Sequence, residues 1–213
     1  MFGLLFILVF LLGMLSMGLQ LVASRVLAPF FGSSIFVWAS LFTTFLAAFS
    51  SGSFIGAAVS AKPRPKQSQI VACLMATCLA TLLFDAVGSY MVCDWLDVRI
   101  ENLPVKLITT CVLLYFVPVM TLSSITPVCI AHYDRREKSA GRSAGLLNGV
   151  STLGNIIGVL VAAFVLIPTF GTHVLLHAWW ISSGAIQFLL WLVLFSPSSQ
   201  SSRPPAATPL QNS

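Results

Sequence analysis

The sequence predicts an all-α, polytopic membrane bundle of six transmembrane helices with both termini cytoplasmic, and three observations predict it. Hydrophobic residues fill 57% of the 213 positions and charged residues only 8%, whereas a soluble domain carries about a quarter charged residues to coat its surface. Apolar runs long enough to cross about 30 Å of hydrocarbon occur at Phe2–Ala23, Ile35–Ala61, Ile70–Val92, Leu107–Ala131, Ser143–Pro168 and Val174–Phe195. The basic residues also divide unevenly. Lys62, Arg64, Lys66, Arg135, Arg136, Lys138, Arg142 and Arg203 fall in the second and fourth connections and the tail, and only Arg25, Arg99 and Lys106 fall on the other side, the bias that marks cytoplasmic loops. Residues 1–195 form the transmembrane domain. From Ser196 the composition turns to Ser, Pro, Gln and Ala, and the tail 196–213 is expected to be disordered in the cytoplasm.

The net charge of +5 follows from this topology, so the lipid bilayer is the expected partner and nucleic acid is not. The first run lacks a basic leading segment and is too long for a signal peptide, so it is read as a retained helix. Cys73, Cys78, Cys93, Cys111 and Cys129 form no C-x-x-C pair, which supports neither a disulfide framework nor a thiolate metal site. Cys93 is expected near the outer surface and the other four inside spans.

The first span carries Ser16 and Gln20 one turn apart and leads into Arg25 and the turn Leu27–Ser34, with Pro29 and Gly32 as punctuation and Arg25 as an interfacial anchor. Along the second, Ser40, Thr44, Ala47, Ser51 and Ala58 make a small-residue stripe, and Gly52 and Gly56 form a G-x-x-x-G contact motif. Lys62-Pro-Arg-Pro-Lys66 is expected to be an extended connector. In the third, Cys73, Thr77, Thr81, Asp85 and Gly88 share about a third of the helix circumference. Asp85 is the one carboxylate clearly within an apolar run, and an intramembrane acid is a functional residue by default. It serves either an ion, proton or substrate, or a structural hydrogen bond. Asp94, Asp97 and Glu101 follow outside, with Trp95 as an interfacial anchor and Arg99 and Lys106 among them.

The fourth span combines Pro118 and Pro127 with Thr121, Ser123, Ser124 and Thr126. Prolines free backbone carbonyls that nearby hydroxyls can satisfy, so this helix is expected to be kinked or locally broken. His132 belongs to the charged connection after it and is expected to be solvated. In the fifth, Gly141, Gly145 and Gly149 recur every fourth residue and Gly154 and Gly158 repeat the spacing on another face. Such glycines let backbones approach closely in lipid, so this helix is expected to touch partners on two sides and, with the second, to be tightly packed. Asn148, Ser151 and Asn155 form a stripe between the glycine faces, which either cross-links helices or lines a polar path. The sixth span opens with His173 and His177 one turn apart, weak candidates for a metal or haem. No carboxylate or cysteine stands near them in the sequence, so no metal and no cofactor is expected.

Leu19 to Trp38, including Arg25-Val-Leu-Ala-Pro-Phe-Phe-Gly32, together with Gly52–Gly56 and the helix Gly145–Pro168, resembles the membrane part of the spermidine-synthase-like proteins, the fused major-facilitator/spermidine synthase family. The resemblance covers roughly residues 10–195 and implies a bacterial inner-membrane bundle that, in fused members, precedes a cytoplasmic aminopropyltransferase domain. Members commonly have an acid where this chain has Gln20, so a cation site there would lose its charge. No strand-borne glycine-rich loop with a following acidic ribose partner is present, so aminopropyl transfer is not assigned and the chain is not expected to be an enzyme. Two roles compete. One is a non-catalytic membrane subunit or anchor acting with a separately encoded protein or a second copy. The other is a small-solute transporter or half-transporter, conceivably for polyamines, with Asp85, Gln20, Asn148, Ser151 and Asn155 along its path.

Overall fold

The computed structural model describes residues 2–137 and 139–195; the tail from Ser196 lies outside the described residues. Six rods, each long and apolar enough to span a membrane, make a multi-pass membrane bundle. They are α1 (Phe2–Phe31), α2 (Ile35–Ser60) and α3 (Arg64–Arg99). Leu103–Cys111, a π turn at Val112–Phe116 and Val117–Glu137 run on as α4. Ala140–Val161, a π turn at Ala162–Leu166 and Ile167–Thr169 form α5, and Thr172–Phe195 is α6.

Each π turn ends two residues before a proline, Pro118 in α4 and Pro168 in α5. A proline lacks the N–H its helix needs and crowds the carbonyl four residues earlier, and a widened turn relieves both without breaking the rod. Hydroxyls take up carbonyls around Pro118. Thr121 Oγ1 donates to Val117 O at 3.0 Å and Pro118 O at 2.9 Å, and Ser124 Oγ to Thr121 O at 2.7 Å. The expected irregularity of this span is therefore a π turn inside a continuous helix.

Two connections are shorter than the sequence predicts. Pro29 is accommodated within α1, and the turn shrinks to Gly32–Ser34, where Gly32 takes φ 71°, a left-handed conformation that costs glycine little. The expected extended connector is helical from Arg64 onward because Pro65 occupies the first turn of α3, where its missing N–H has no partner to lose. At the other end α3 continues past Trp95 to Arg99, whose guanidinium lies 4.3 Å above the Trp95 ring. Asp94 and Asp97 thus belong to a helix end and not to a loop. Lys106 Nζ reaches back to Asp97 Oδ1 at 2.6 Å and Asp97 O at 2.9 Å, tying the α3–α4 corner. His132 also departs from expectation. It is a buried member of α4, because the helix runs on to Glu137 and carries this face back into the bundle.

Helix α1 is the hub and contacts all five other helices. Its apolar window is 61% buried, against 17% for α5, so α5 lies at the periphery with one side against α1. Leu5, Leu8, Leu12, Leu19, Val22 and Val26 fill the centre, while Phe54, Val87, Met91 and Phe164 point outward. Apolar side chains on the outside are what a lipid-solvated bundle requires.

The closest seams join α1 to α5 and α2 to α4. Gly154 abuts Phe10 and Gly158 abuts Met14, while Gly52 abuts Met120 and Ser123, and Gly56 abuts Ser124 and Pro127. The second and fifth spans are both tightly packed, but on different partners. Nor does α5 touch neighbours on both glycine faces: Gly141, Gly145 and Gly149 have nothing within 4 Å of a modest side-chain addition.

Candidate functional site

The stripe Asn148, Ser151 and Asn155 lies along one wall of a cleft of about 180 Å³. Thr152 completes the α5 wall, Ser16 and Gly13 come from α1, Ser53 and Phe49 from α2, and Ser123 and Thr126 from α4. The small residues that close the two seams also make room here. Gly13 sits against Ser151 O and the Asn155 amide oxygen, so α1 passes under the polar stripe without a side chain to fill it.

Three of the six hydroxyls of this cleft are already held by backbone. Ser16 Oγ donates to Leu12 O at 2.9 Å, Thr152 Oγ1 to Asn148 O at 2.8 Å and Ser123 Oγ to Met120 O at 3.1 Å. Their remaining capacity is mainly as acceptors. The Asn148 and Asn155 side chains, exposed and half-buried respectively, have no such bond among the described residues. Each therefore keeps two N–H donors and a carbonyl acceptor for something entering the cleft. No acidic or basic side chain lines it. This arrangement suits a small, uncharged, hydrogen-bonding molecule and offers no counter-charge to a polyamine.

The structure separates Asp85 and Gln20 from this cleft. Asp85 is 1% exposed in α3, and neither carboxylate oxygen has a hydrogen-bond partner among the described residues. Gln20 is buried in α1, with its amide nitrogen also unpartnered. Two of the three tryptophans of α6 have structural bonds: Trp179 Nε1 donates to Leu15 O at 2.9 Å and Trp180 Nε1 to Leu79 O at 3.1 Å. Below Asp85, Gln187 Nε2 donates to Cys78 Sγ at 3.2 Å.

His173 and His177 serve other contacts. The His173 ring stacks on Tyr90 with centroids 4.5 Å apart, and His177 Nδ1 lies 2.8 Å from His173 O. Among the described residues no three His, Cys, Asp or Glu side chains gather as metal ligands. Cys93, expected near the outer surface, is buried, and the exposed cysteine is Cys73.

Ser53, Ser123, Thr126 and Tyr115 are polar residues that sequence reasoning did not assign to a site. The hydroxyls of α4 were legible as proline companions, a role Ser123 combines with lining the cleft. Tyr115 stands among Leu and Phe in the chain, and nothing local marks it as core polar.

Comparison of the chain with known protein families, characterised proteins and solved structures finds no match.

Proposed function

We propose that this protein admits a small uncharged solute into the membrane through the cleft between α1, α2, α4 and α5, acting as a transporter or half-transporter. The observation that carries this is the pair of uncommitted amides, Asn148 and Asn155, in a cleft walled by hydroxyls from three other helices. Amides and hydroxyls at membrane depth are costly unless they meet each other or a ligand, and here the amides meet neither. The resemblance noted in the sequence supports a bacterial inner-membrane setting.

Solute-driven swelling of proteoliposomes containing the full chain tests the proposal, with glycerol and urea as neutral probes and putrescine as the charged comparison. Glycerol or urea is expected to enter faster than in empty liposomes, and putrescine is not. A net hydrogen bond is worth about 1 kcal/mol, so Asn155→Leu is expected to slow entry roughly fivefold. Entry at the rate of empty liposomes for both neutral probes would overturn the proposal.

A non-catalytic membrane subunit is the second role, and one feature favours it. The α5 face bearing Gly141, Gly145 and Gly149 is uncovered among the described residues, leaving room for a helix from a second protein. Sedimentation of native-membrane extracts in mild detergent should then give a complex heavier than the chain, and a bare monomer at every concentration counts against this role.

A further inference from the structure

Asp85 belongs to a second polar centre, buried and apart from the cleft. Two contacts set the register between α3 and α4, which run in opposite directions: Cys78 Sγ donates to Pro118 O at 3.7 Å, and Asp97 pairs with Lys106. Between them, that register brings Tyr115 level with Asp85. The Tyr115 phenol is fully buried, and its hydroxyl has no hydrogen-bond partner among the described residues. It also sits in the π turn of α4, a feature often found where a helix serves a site. Ser89 lies one turn along α3 from Asp85, and α6 packs on α3 with Ser183 and Gln187 buried. Ser89 Oγ, Ser183 Oγ and Gln187 Oε1 are each buried and unpartnered.

Among the described residues no cation offsets the carboxylate. The titratable groups facing it are Cys78 and Cys93 from α3 and Tyr115 from α4. On α6, His173 is stacked on Tyr90 and His177 is exposed. On α1, Arg25 is exposed, and Lys106 of α4 is held by Asp97. An ionised carboxylate placed among Leu82, Ala86 and Tyr115, all buried, is strongly disfavoured without a bound positive charge. A dehydrated metal ion needs several oxygens around one point. Here Gln187 is bonded to Cys78, about two turns along α3 from Asp85, and the cleft that could admit an ion does not include Asp85. A proton needs only the carboxylate and one neighbouring oxygen.

We propose that Asp85 is a proton-binding site whose loading controls the contact between α3 and the π turn of α4. Loading transfers a proton from hydronium to Asp85 Oδ, giving a neutral carboxyl and water, and release is the reverse. The neutral carboxyl can donate to Tyr115 or Ser89, whereas the carboxylate draws both hydroxyls as donors. Either change acts on α4, and the same rod carries Ser123 and Thr126 into the cleft two to three turns away. Proton loading is thereby linked to cleft shape. The site itself does not depend on what the cleft carries.

Infrared spectroscopy of the full chain in proteoliposomes, titrated over bulk pH, tests this inference. The parent spectrum is expected to show a protonated-carboxyl band, gained as pH falls, that Asp85→Asn removes and Tyr115→Phe shifts. Acids outside the bundle contribute equally to parent and variants and cancel in the difference. Should Asp85→Asn fail to fold, Asp85→Glu is expected to move the band instead. Spectra of the folded variants that superimpose on the parent at every pH would overturn the proposal. Neutral-solute swelling scores the cleft separately, so loss of one result leaves the other standing.

Discussion

Gly158→Leu is expected to abolish the folded bundle, and Gly154→Leu to do nearly as much. A side-chain carbon at Gly158 would lie 2.7 Å from Met14 Cα and 2.8 Å from Met14 C, and one at Gly154 2.9 Å from Phe10 C. These obstacles are backbone of the hub helix. A flexible side chain could swing aside, but α1 can give way only by moving off α5 as a unit. Overpacking a core ordinarily costs about 1–3 kcal/mol, and a shift of the whole helix exceeds that. Even Gly158→Ala should lie at the upper end of that range. Separation would also strip neighbours from Gly13, which abuts Ser151 and Asn155, so the cleft would open with the seam. Gly145→Leu is the control. That glycine meets nothing among the described residues, and its replacement should change stability by about 0.5 kcal/mol or less. Unfolding of the purified variants in mild detergent, followed by circular dichroism, would distinguish them. Equal stability of Gly158→Leu and Gly145→Leu would refute the α1–α5 seam.

That contrast also defines what sequence can supply. Number and position of the spans are encoded in local hydropathy, because crossing hydrocarbon demands a continuous apolar run whatever the neighbours are. Pairing is not local. The repeats Gly52–Gly56 and Gly154–Gly158 reveal that a face is meant for close approach, but α1 as the partner of α5 and α4 as the partner of α2 depend on all six rods at once. Gly145 and Gly154 look alike in the chain, yet one is open and the other is sealed. Helix ends follow the same logic. Pro63 and Pro65 read as an extended linker, although a proline in the first turn is equally a helix start, and contacts made by Gln67 inside the bundle favour the latter. For His132 the charged neighbours in sequence are misleading, since one face of a helix can be buried while the next residues project outward. The stripe Asn148, Ser151 and Asn155 was visible from helical spacing alone. Its opposite walls were not, because Ser16, Ser53 and Ser123 come from three separate segments and no local pattern encodes their meeting. Asp85 stands out in any hydropathy trace, whereas Tyr115 becomes meaningful only when α4 is set in register with α3.

At the α2–α4 seam, Gly52→Ala is expected to destabilise the bundle by about 3 kcal/mol, at the upper end of ordinary overpacking. The added methyl would fall on Ser123 Oγ and on the carbonyl of Met120. These two obstacles differ in kind. The hydroxyl can be deleted, while the carbonyl is fixed by the helix. Ser123→Ala alone should cost about 1 kcal/mol or less, for it gives up a bond to Met120 O at 3.1 Å and long contacts to Ala48 O and Phe49 O at 3.4 and 3.5 Å. Combined with Gly52→Ala, the same deletion removes a collision. The double variant should therefore be more stable than the sum of the single losses predicts, by about 1 kcal/mol, within the range seen for residues in contact. It should remain well below the parent, since the Met120 carbonyl still stands in the way. Gly56→Ala supplies the comparison without a removable hydroxyl: its obstacles are Ser124 O and the Pro127 ring, so Ser123→Ala should leave its cost unchanged. Additive losses at Gly52 and Ser123 would mean that α2 and α4 do not approach through this glycine.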